Sequence, residues 1–354
     1  MSKKINVAIL CGGQSAEHNI SLLSAKNIIE SIDKDKYNPI LIGIDKSGNC
    51  VINDTSNLLL NSDNPKLIEL NTAESIVEYL PSSLDDLKHN RKIDVVFPIL
   101  HGPFGEDGTI QGLLKLANIP FVGADVLGSA IGMDKDIMKR LLRDAGIPIA
   151  KFITLKSSQS IPSFQTIIDN LGSPVFLKPA NMGSSIGVSK VTDENSYNNA
   201  IENAFEFDTK IIIEEFIQGR EIECAILGND KPMASILGEI IVNTDFYSYD
   251  SKYIDQKGAD LQIPAQISDS ITEEIQNLAI KTFQTLSCEG LARVDFFLTS
   301  DGQVFVNEIN TLPGFTKTSM YAKLWEASGI DYPDLIDKLI QLAFERFNKH
   351  NNIL

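Results

Sequence analysis

The hydrophobic pattern of this 354-residue chain alternates between short apolar runs and helical stripes. Residues 6–10 form an apolar run that ends at Cys11-Gly12-Gly13, and a helical pattern follows over residues 20–32. A strand, a glycine turn and a helix in this order predict the opening of a parallel α/β unit. The runs at 40–44, 93–100 and 119–123 predict further strands.

The middle of the chain predicts a helix and then several more strands. Met133-Asp134-Lys135 opens a helical stripe to about residue 145, which Gly146 and Pro148 close. Residues 174–178 and 190–191 predict a hairpin whose long loop is rich in Gly and Ser, and 210–213 and 222–227 predict two more strands. Two later stripes predict helices, of which the first begins with a capping box at Ser270.

A second hairpin carries a concentrated group of polar side chains. Residues 291–298 and 304–310 flank Asp301-Gly302, which predicts a two-residue turn. Facing residues then have numbers that sum to 603, so Asp295 faces Glu308 and Arg293 faces Asn310, all on one face.

Two opposed carboxylates repel unless a positive charge lies between them. Their oxygen atoms, with that of an Asn amide, suit Mg²⁺ carrying phosphate. The alternative is that Arg293 neutralises both acids in a surface ion-pair network, and the hairpin by itself leaves both interpretations open.

Composition narrows the classes of protein to consider. Hydrophobic residues make up 43% of the chain, which excludes a disordered protein, and the length allows two or three domains. Lys and Arg number 31 against 47 Asp and Glu, a net charge of −16 that argues against nucleic-acid or membrane binding. The four cysteines show no CxxC pair, and no window approaches the ~20 apolar residues of a membrane span. These features predict a cytoplasmic, reduced protein.

Other polar residues lie where predicted strands end. Glu17 follows the first strand, where open α/β sheets bind ligands, although it could equally interact with a helix dipole. His101 opens a loop with three glycines in seven residues, which indicates either a ligand site or a tight structural loop. The Gly-Ser loop around Ser184 can close over phosphates, or can be a linker. Residues 214–221 predict an extended linker with acids, and the aromatic stretch 246–253 could be only an apolar cluster.

Several of these segments occur together in one order. They are CGGQSAEHNIS, FPILHGPFGEDGTIQG, KPANMGSSIGVSK, EEFIQGREIECAILGN, FYSYDSKY, GLARVDFF and VNEINTLPGFTKTSM. In these motifs the chain resembles the D-alanine–D-alanine ligases of the ATP-grasp superfamily over essentially its whole length. The resemblance implies an α/β (α+β) fold of three domains: an open parallel α/β domain at 1–125, a central domain with a phosphate lid at 126–216, and a mixed-sheet catalytic domain at 217–354.

The resemblance also implies roles for individual residues, with ATP between the second and third domains. Implied nucleotide contacts are Lys135, Phe176, Lys178, Ser184, Glu214, Glu215, Ile217, Glu221, Lys252, Phe297, Asn307 and Glu308. Asp295, Glu308 and Asn310 would bind two Mg²⁺ ions, for which Mn²⁺ could substitute. Glu17 and His101 would hold the first D-alanine, Arg293 and the Gly314 backbone would meet the oxyanion, and Ser319 and Met320 would receive the second carboxylate.

The implied activity is ligation of two D-alanine molecules through a D-alanyl phosphate for peptidoglycan synthesis, by a cytoplasmic homodimer. Tyr253 resembles the residue of dipeptide-forming enzymes, so the expected second substrate is an amine and not D-lactate. The alternatives are another ATP-grasp carboxylate–amine or D-alanine–D-lactate ligase, and a non-catalytic ATP-binding regulator. A regulator needs no oxyanion donor such as Arg293. The missing dinucleotide fingerprint disfavours a dehydrogenase.

Overall fold

The computed structural model describes residues 3–52, 59–62, 64, 67–71, 76–79, 93–242 and 259–352. Its strands are β1 Ile5–Gly12, β2 Tyr37–Ile44, β3 Asn49–Ile52, β4 Leu59–Leu60, β5 Glu69–Leu70, β6 Ile76–Tyr79, β7 Val95–Pro98, β8 Phe152–Lys156, β9 Val175–Pro179, β10 Ser189–Val191, β11 Lys210–Glu215, β12 Gly219–Gly228, β13 Met233–Val242, β14 Ala259–Gln262, β15 Gly290–Thr299 and β16 Val304–Asn310. Its helices are α1 His18–Ser31, α2 Thr109–Leu116, α3 Val126–Met133, α4 Lys135–Asp144, α5 Phe164–Leu171, α6 Glu194–Phe205, α7 Asp269–Thr285, α8 Met320–Ala327 and α9 Tyr332–Asn351.

The first sheet has the strand order β6-β3-β2-β1-β7. Strands β2, β1 and β7 are parallel, as predicted, whereas β3 and β6 add two antiparallel strands at one edge. The segment 119–123 is not a strand, because only Phe121 bridges to Val96. At the end of β1, Gly12 has φ 93°, and a Cβ there would lie 2.2 Å from the Ile44 carbonyl oxygen. The turn that leads into α1 therefore requires glycine.

The second and third sheets are antiparallel. The second has the order β10-β9-β11-β8, and β9 and β10 form the predicted hairpin around the Gly-Ser loop. The third has the order β14-β13-β12-β15-β16, with an isolated parallel bridge from Ile149 to Val306. The predicted domain limits at 125/126 and 216/217 fall between these three larger sheets, and the two-stranded sheet β4-β5 lies before the first limit. The limits remain a prediction.

Helix starts follow local capping chemistry. Asp134 caps α4 by accepting from the backbone N–H groups of Asp136 and Ile137, so this helix begins where the pattern predicts. The capping box at Ser270 is wrong, because α7 begins at Asp269 and its cap is Ser268, which accepts from Ile271 N. The predicted cap lies two residues too far along the chain. Ser268 carries the same hydroxyl group as Ser270 and can cap the helix equally well.

One hydrophobic core joins the first sheet to the end of the chain. Phe97 in β7 contacts Phe315, with ring centroids 5.6 Å apart, and Tyr321 and Trp325 of α8 continue the same buried cluster. Arg346 of α9 donates to the carbonyl oxygens of Gly123 and Phe121. The loop after β16 is thus held against the carboxyl ends of β1 and β7. None of the described helices is long and apolar enough to cross a membrane.

The third sheet packs on α7 through Phe283, which is completely buried. Phe283→Ala should lower the free energy of unfolding by about 3–5 kcal/mol, because it removes a buried ring and leaves a cavity. The neighbouring exposed Gln284 is the matched control, and Gln284→Ala should change stability by no more than about 0.5 kcal/mol. Urea denaturation of both variants measures the difference, and equal midpoints would contradict this packing.

Candidate active site

Two adjoining cavities lie between the three sheets. The first has a volume of about 440 Å³ and the second about 350 Å³. Both are in the size range of small-molecule sites. Their walls share Ser184, Glu221, Phe297, Asn307 and Glu308. A ligand in one cavity therefore lies next to a ligand in the other.

The first cavity contains all the described residues of the predicted nucleotide set. These are Lys135, Phe176, Lys178, Ser184, Glu214, Glu215, Ile217, Glu221, Phe297, Asn307 and Glu308. Phe176 and Phe216 form part of its apolar wall, with ring centroids 5.7 Å apart. The predicted linker is shorter than expected, because β12 already begins at Gly219 and only residues 216–218 connect the strands.

A buried ion cluster forms the polar end of the first cavity. Glu214 lies between two lysines, with Oε2 2.5 Å from Lys178 Nζ and Oε1 2.7 Å from Lys139 Nζ. Burial by itself raises the pKa of Glu214, but the two lysines outweigh it and lower this pKa. Burial also lowers the pKa of Lys178, and here Glu214 and Glu308 outweigh it and raise the pKa. Lys178 therefore stays charged beside a cavity that suits phosphate.

Lys135 connects this cluster to the second hairpin. Its Nζ donates to the Met182 carbonyl oxygen at 2.7 Å and lies 3.5 Å from Glu308 Oε2. Met182 belongs to the Gly-Ser loop, in which Ser184 and Ser185 adopt positive φ angles of 51° and 60°. Such a loop presents backbone N–H groups to an anion. Glu215 has another partner, since its Oε1 accepts from Lys151 N at 2.7 Å.

The second hairpin has the predicted pairing at its polar end but not at its turn. Asp295 faces Glu308 and Arg293 faces Asn310, whereas Leu298 faces Val304. The loop at Asp301-Gly302 therefore has three residues and not two. Asn307 then forms a β-bulge that shifts the register back between Asp295 and Phe296. The two deviations cancel, so the facing pairs are confirmed although the two-residue turn is wrong.

The polar face of this hairpin is tightly paired. Arg293 donates from Nε to Asp295 Oδ1 at 2.7 Å and from Nη2 to Oδ2 at 2.8 Å, and Asn310 Nδ2 donates to Oδ2 at 2.9 Å. Burial by itself lowers the pKa of Arg293, but Asp295 and Glu223 outweigh it and raise this pKa well above its ordinary value. Arg293 thus pairs with Asp295, whereas Glu308 lies near Lys135. The interpretation in which Arg293 pairs with both acids at the surface therefore holds for Asp295 only, and the Arg293 side chain is mostly buried.

The donor set of the hairpin fits a hard divalent cation. Asp295 and Glu308 offer carboxylate oxygens, and Asn310 offers the carbonyl oxygen of an amide whose Nδ2 is already directed to Asp295. In the described part of the chain, no three His, Cys, Asp or Glu side chains group closely enough to hold a metal ion. Protein groups by themselves would leave the coordination incomplete. Mg²⁺ is usually held in this way, by one or two carboxylates together with water and substrate phosphates.

The second cavity contains the described residues predicted to bind substrate and metal. These are Glu17, His101, Arg293, Asp295, Glu308, Asn310, Gly314, Ser319 and Met320. Glu17 is the N-cap residue of α1 but makes no side-chain cap hydrogen bond. Ser319 is at the N-cap position of α8, and its hydroxyl accepts from Thr316 N at 3.0 Å. A helix N-terminus in this position favours a carboxylate.

His101 faces this cavity as a neutral acceptor. Its Nδ1 lies 3.0 Å from the Leu312 carbonyl oxygen, which can only accept, so Nδ1 carries the proton. Burial lowers the pKa of His101 more than Glu17 raises it. Its buried Nε2 has no hydrogen-bond partner in the described structure. A neutral Nε2 can therefore accept a hydrogen bond from a ligand ammonium group.

Lys252 and Tyr253 lie outside the described residues, so their predicted roles stay predictions. Glu106, Lys139 and Glu223 are among the residues at the site that were not identified from the sequence. Lys139 lies four residues after Lys135 on α4, a spacing that places both on one helix face. Glu223 follows Glu221 by two residues and so shares its strand face. For Glu106, the only signal in the sequence was its position in the glycine-rich loop.

Comparison with known proteins gives a consistent result. Residues 6–124 match the family model for the D-ala D-ala ligase N-terminus, and residues 141–341 match that for the D-ala D-ala ligase C-terminus. The chain belongs to the D-alanine–D-alanine ligase family. A D-alanine–D-alanine ligase of Shouchella clausii is 55% identical over 361 residues, covering 100% of this chain and 98% of the relative.

Solved structures of the D-alanine–D-alanine ligase family have the same fold. The D-alanine–D-alanine ligase from Coxiella burnetii has a TM-score of 0.82 and 37% identity, covering 99% of this chain and 97% of its own. The VanG D-Ala:D-Ser ligase from Enterococcus faecalis has a TM-score of 0.80 and 36% identity, covering 96% and 100%. The Bacillus anthracis enzyme complexed with ATP has a TM-score of 0.75 and 28% identity, covering 98% and 99%. The predicted ATP-grasp fold is confirmed.

The carboxyl of Glu106 should make stability depend on pH. Glu106 accepts from Gly102 N at 2.7 Å, and burial followed by the charge of Glu17 raises its pKa from 4.5 to about 8. Between these two pH values the native state holds one proton more than the unfolded state, so this group makes stability fall as pH rises. Glu106→Gln cannot ionise, so the variant should gain stability relative to the unaltered protein between pH 5 and pH 8.

Urea midpoints at the two pH values measure this gain. Glu273→Gln, on the exposed face of α7, controls for loss of a carboxylate in general. A Glu106→Gln difference that stays the same at pH 5 and pH 8 would contradict a native carboxyl that holds its proton at neutral pH.

Proposed function

We propose that this protein joins two D-alanine molecules into D-alanyl-D-alanine, with cleavage of ATP to ADP and phosphate, for peptidoglycan precursor synthesis. The observation that carries this proposal is the shared wall of the two cavities. One side offers lysines and an apolar wall suited to a nucleotide, and the other offers Glu17, Arg293 and Ser319. Identity of 55% to a D-alanine–D-alanine ligase across the whole chain supports the choice of substrate.

The chemistry explains why the two cavities must adjoin. A free carboxylate is a poor electrophile, so the first D-alanine must become an acyl phosphate before an amine can attack it. Lys135 and Lys178 lie in the cavity where the phosphates would bind and can neutralise them. Mg²⁺ or Mn²⁺, two ions per site, held by Asp295, Glu308 and Asn310, would neutralise charge on the transferring phosphoryl group.

The first D-alanine is oriented from the opposite side. The Glu17 carboxylate and the neutral Nε2 of His101 can both accept from its ammonium group. Its carboxylate is then directed toward Arg293 and Glu308 at the boundary with the nucleotide cavity. Binding that fixes both ends of a small substrate makes phosphoryl transfer effectively intramolecular.

The second D-alanine completes the reaction as a neutral amine. Ser319 and Met320 at the start of α8 would receive its carboxylate. The amine would attack the acyl carbon, and formation of the C–N bond would break the acyl C–O bond, release phosphate and pass the proton of the amine to solvent. Arg293 and the backbone N–H of Gly314 would stabilise the tetrahedral oxyanion. The Gly-Ser loop that carries Ser184 would exclude water, which would otherwise hydrolyse the acyl phosphate.

Location and assembly follow from the same assignment. We place the protein in the cytoplasm, because ATP is available there and because its four cysteines, all among the described residues, are buried and form no disulfide. The family resemblance supports a homodimer. Tyr253 supports an amine, and not D-lactate, as the second substrate.

An assay of ADP formation with different acceptors tests this function. We expect ADP release with D-alanine, little with L-alanine and none above background without an amino acid. With D-alanine and D-lactate offered together near neutral pH, the dipeptide should be the main product. Equal ADP release with D-alanine, with L-alanine and without an amino acid would contradict ligation and favour a regulator or an ATPase. Mainly ester product would favour a D-alanine–D-lactate ligase.

Glu308→Gln tests the role of the hairpin acids. The variant keeps the shape of the side chain but removes the charge, so kcat should fall on the order of 10²-fold or more because phosphoryl-group neutralisation is lost. Asp301→Asn is the matched control, since it removes a carboxylate from the exposed turn of the same hairpin. Both variants should keep a folded circular dichroism spectrum. An active Glu308→Gln enzyme would contradict the proposed metal role.

A further inference from the structure

A row of three carboxylates crosses the third sheet. Glu223 in β12 faces Asp295 in β15, and Asp295 faces Glu308 in β16. Like charges that face each other across strands destabilise a sheet. Arg293, two residues before Asp295 on the same face, is the cation that lies between the first two acids.

Arg293 has more acceptors within reach than its Nε can use. Its Nε lies 2.7 Å from Asp295 Oδ1 and 2.9 Å from Glu223 Oε2. An arginine Nε carries a single hydrogen atom, and here this hydrogen is donated to Asp295. Glu223 therefore lies in position as a second acceptor for the same N–H group. Its side chain is only 6% exposed, so water does not readily take its place.

Arg293 and a divalent cation would compete for the carboxylate oxygens of Asp295. In this structure both oxygens accept from Arg293 in a bidentate pair. In the proposed function the same carboxylate also binds a divalent cation, which attracts it more strongly than a guanidinium does. A turn of Asp295 toward the cation would weaken the pair that orients Arg293 at the moment when Arg293 would meet the oxyanion.

We propose that Glu223 is the positioning residue for Arg293, and that it accepts the Nε–H when Asp295 turns to the cation. The guanidinium then keeps its orientation, with Nη1, which makes no hydrogen bond within the described part of the chain, directed to the reacting carbonyl oxygen. Glu223 acts through Arg293 and touches neither the transferred phosphoryl group nor the metal. This inference rests on the proposed function, because it assigns a step of that reaction.

Two substitutions separate this role from a structural one. Glu223→Leu removes the acceptor, so kcat should fall on the order of 10²-fold through misplacement of Arg293, with the KM for ATP nearly unchanged. Glu223→Gln keeps a carbonyl acceptor, so its loss should be less than about tenfold. A merely structural role predicts a lower melting temperature instead. Removing one of three neighbouring carboxylates should leave the melting temperature of Glu223→Leu unchanged within about 3 °C, or raise it.

Affinity for a transition-state mimic gives a readout that a structural role would not change. A D-alanine dipeptide analogue with a tetrahedral phosphinate in place of the peptide bond presents the oxyanion that Arg293 meets. Its affinity for Glu223→Leu should fall by the same factor as kcat, whereas the affinity for ADP should not change. Glu289→Leu is the matched control, because it removes a carboxylate 3.8 Å from another buried arginine, Arg346, and should leave kcat unchanged.

A measurement on the unaltered protein covers the case in which Glu223→Leu does not fold. The Nε–H resonance of Arg293, assigned by its absence in Arg293→Lys, should stay protected from exchange with solvent when Mg²⁺ and ADP are added. Fast exchange on addition of these ligands would overturn the inference. So would an unchanged kcat in Glu223→Leu, or equal losses in the Leu and Gln variants. These outcomes are distinguishable from a failure of the proposed function. In that case the unaltered protein itself would lack D-alanine-dependent activity.

Discussion

Opposed carboxylates on neighbouring strands are the constraint on which the rest of the site depends. Asp295 and Glu308 face each other across β15 and β16, and Glu223 extends the row by one strand. Without cations such a row destabilises the sheet. Arg293 compensates Asp295 and Glu223, and Lys135 lies 3.5 Å from Glu308. The hairpin therefore keeps excess negative charge at the boundary of the two cavities, which is the electrostatic condition for attracting a divalent cation.

The ion cluster at the first cavity carries a net positive charge, opposite to that of the hairpin. Glu214 is enclosed by Lys139 and Lys178, and Lys135 lies nearby, so lysines outnumber carboxylates in this buried cluster. Burying an uncompensated ammonium is costly, and Glu214 offsets part of that cost. The remaining positive charge suits phosphates. Negative and positive clusters thus meet at Glu308, where a phosphoryl group would pass from one cavity to the other.

Packing between distant parts of the chain holds these clusters in place. The second cavity lies between the loop after β16 and the segments that follow β1 and β7, and Phe315 of this loop packs against Phe97 of the first sheet. His101 reinforces this contact by binding the Leu312 carbonyl oxygen. Glu17 and His101, which follow strands of the first sheet, therefore line the same cavity as Arg293 of the third, although His101 and Arg293 are about two hundred residues apart in the chain.

The chain by itself determined the features that depend on local periodicity and motif. Alternation along β15 and β16 places Arg293, Asp295, Glu308 and Asn310 on one face, because side chains in a strand alternate with a period of two. The glycine turn after β1 and the capped start of α4 follow from local backbone chemistry. The motifs, taken in their order, predicted the fold and the family, since the matching segments are spread along the whole chain.

Only the tertiary structure decided how separate elements meet. The three-residue turn and the bulge at Asn307 cancel in register, and a count along the chain cannot reveal two compensating shifts. The charge of Glu17 acts on Glu106 because the loops after β1 and β7 lie side by side at one edge of the first sheet. Lys139 lies 2.7 Å from Glu214 because α4 packs against β11 of the second sheet. Periodicity determines which face a side chain occupies, but its partners across the core depend on packing over the whole chain.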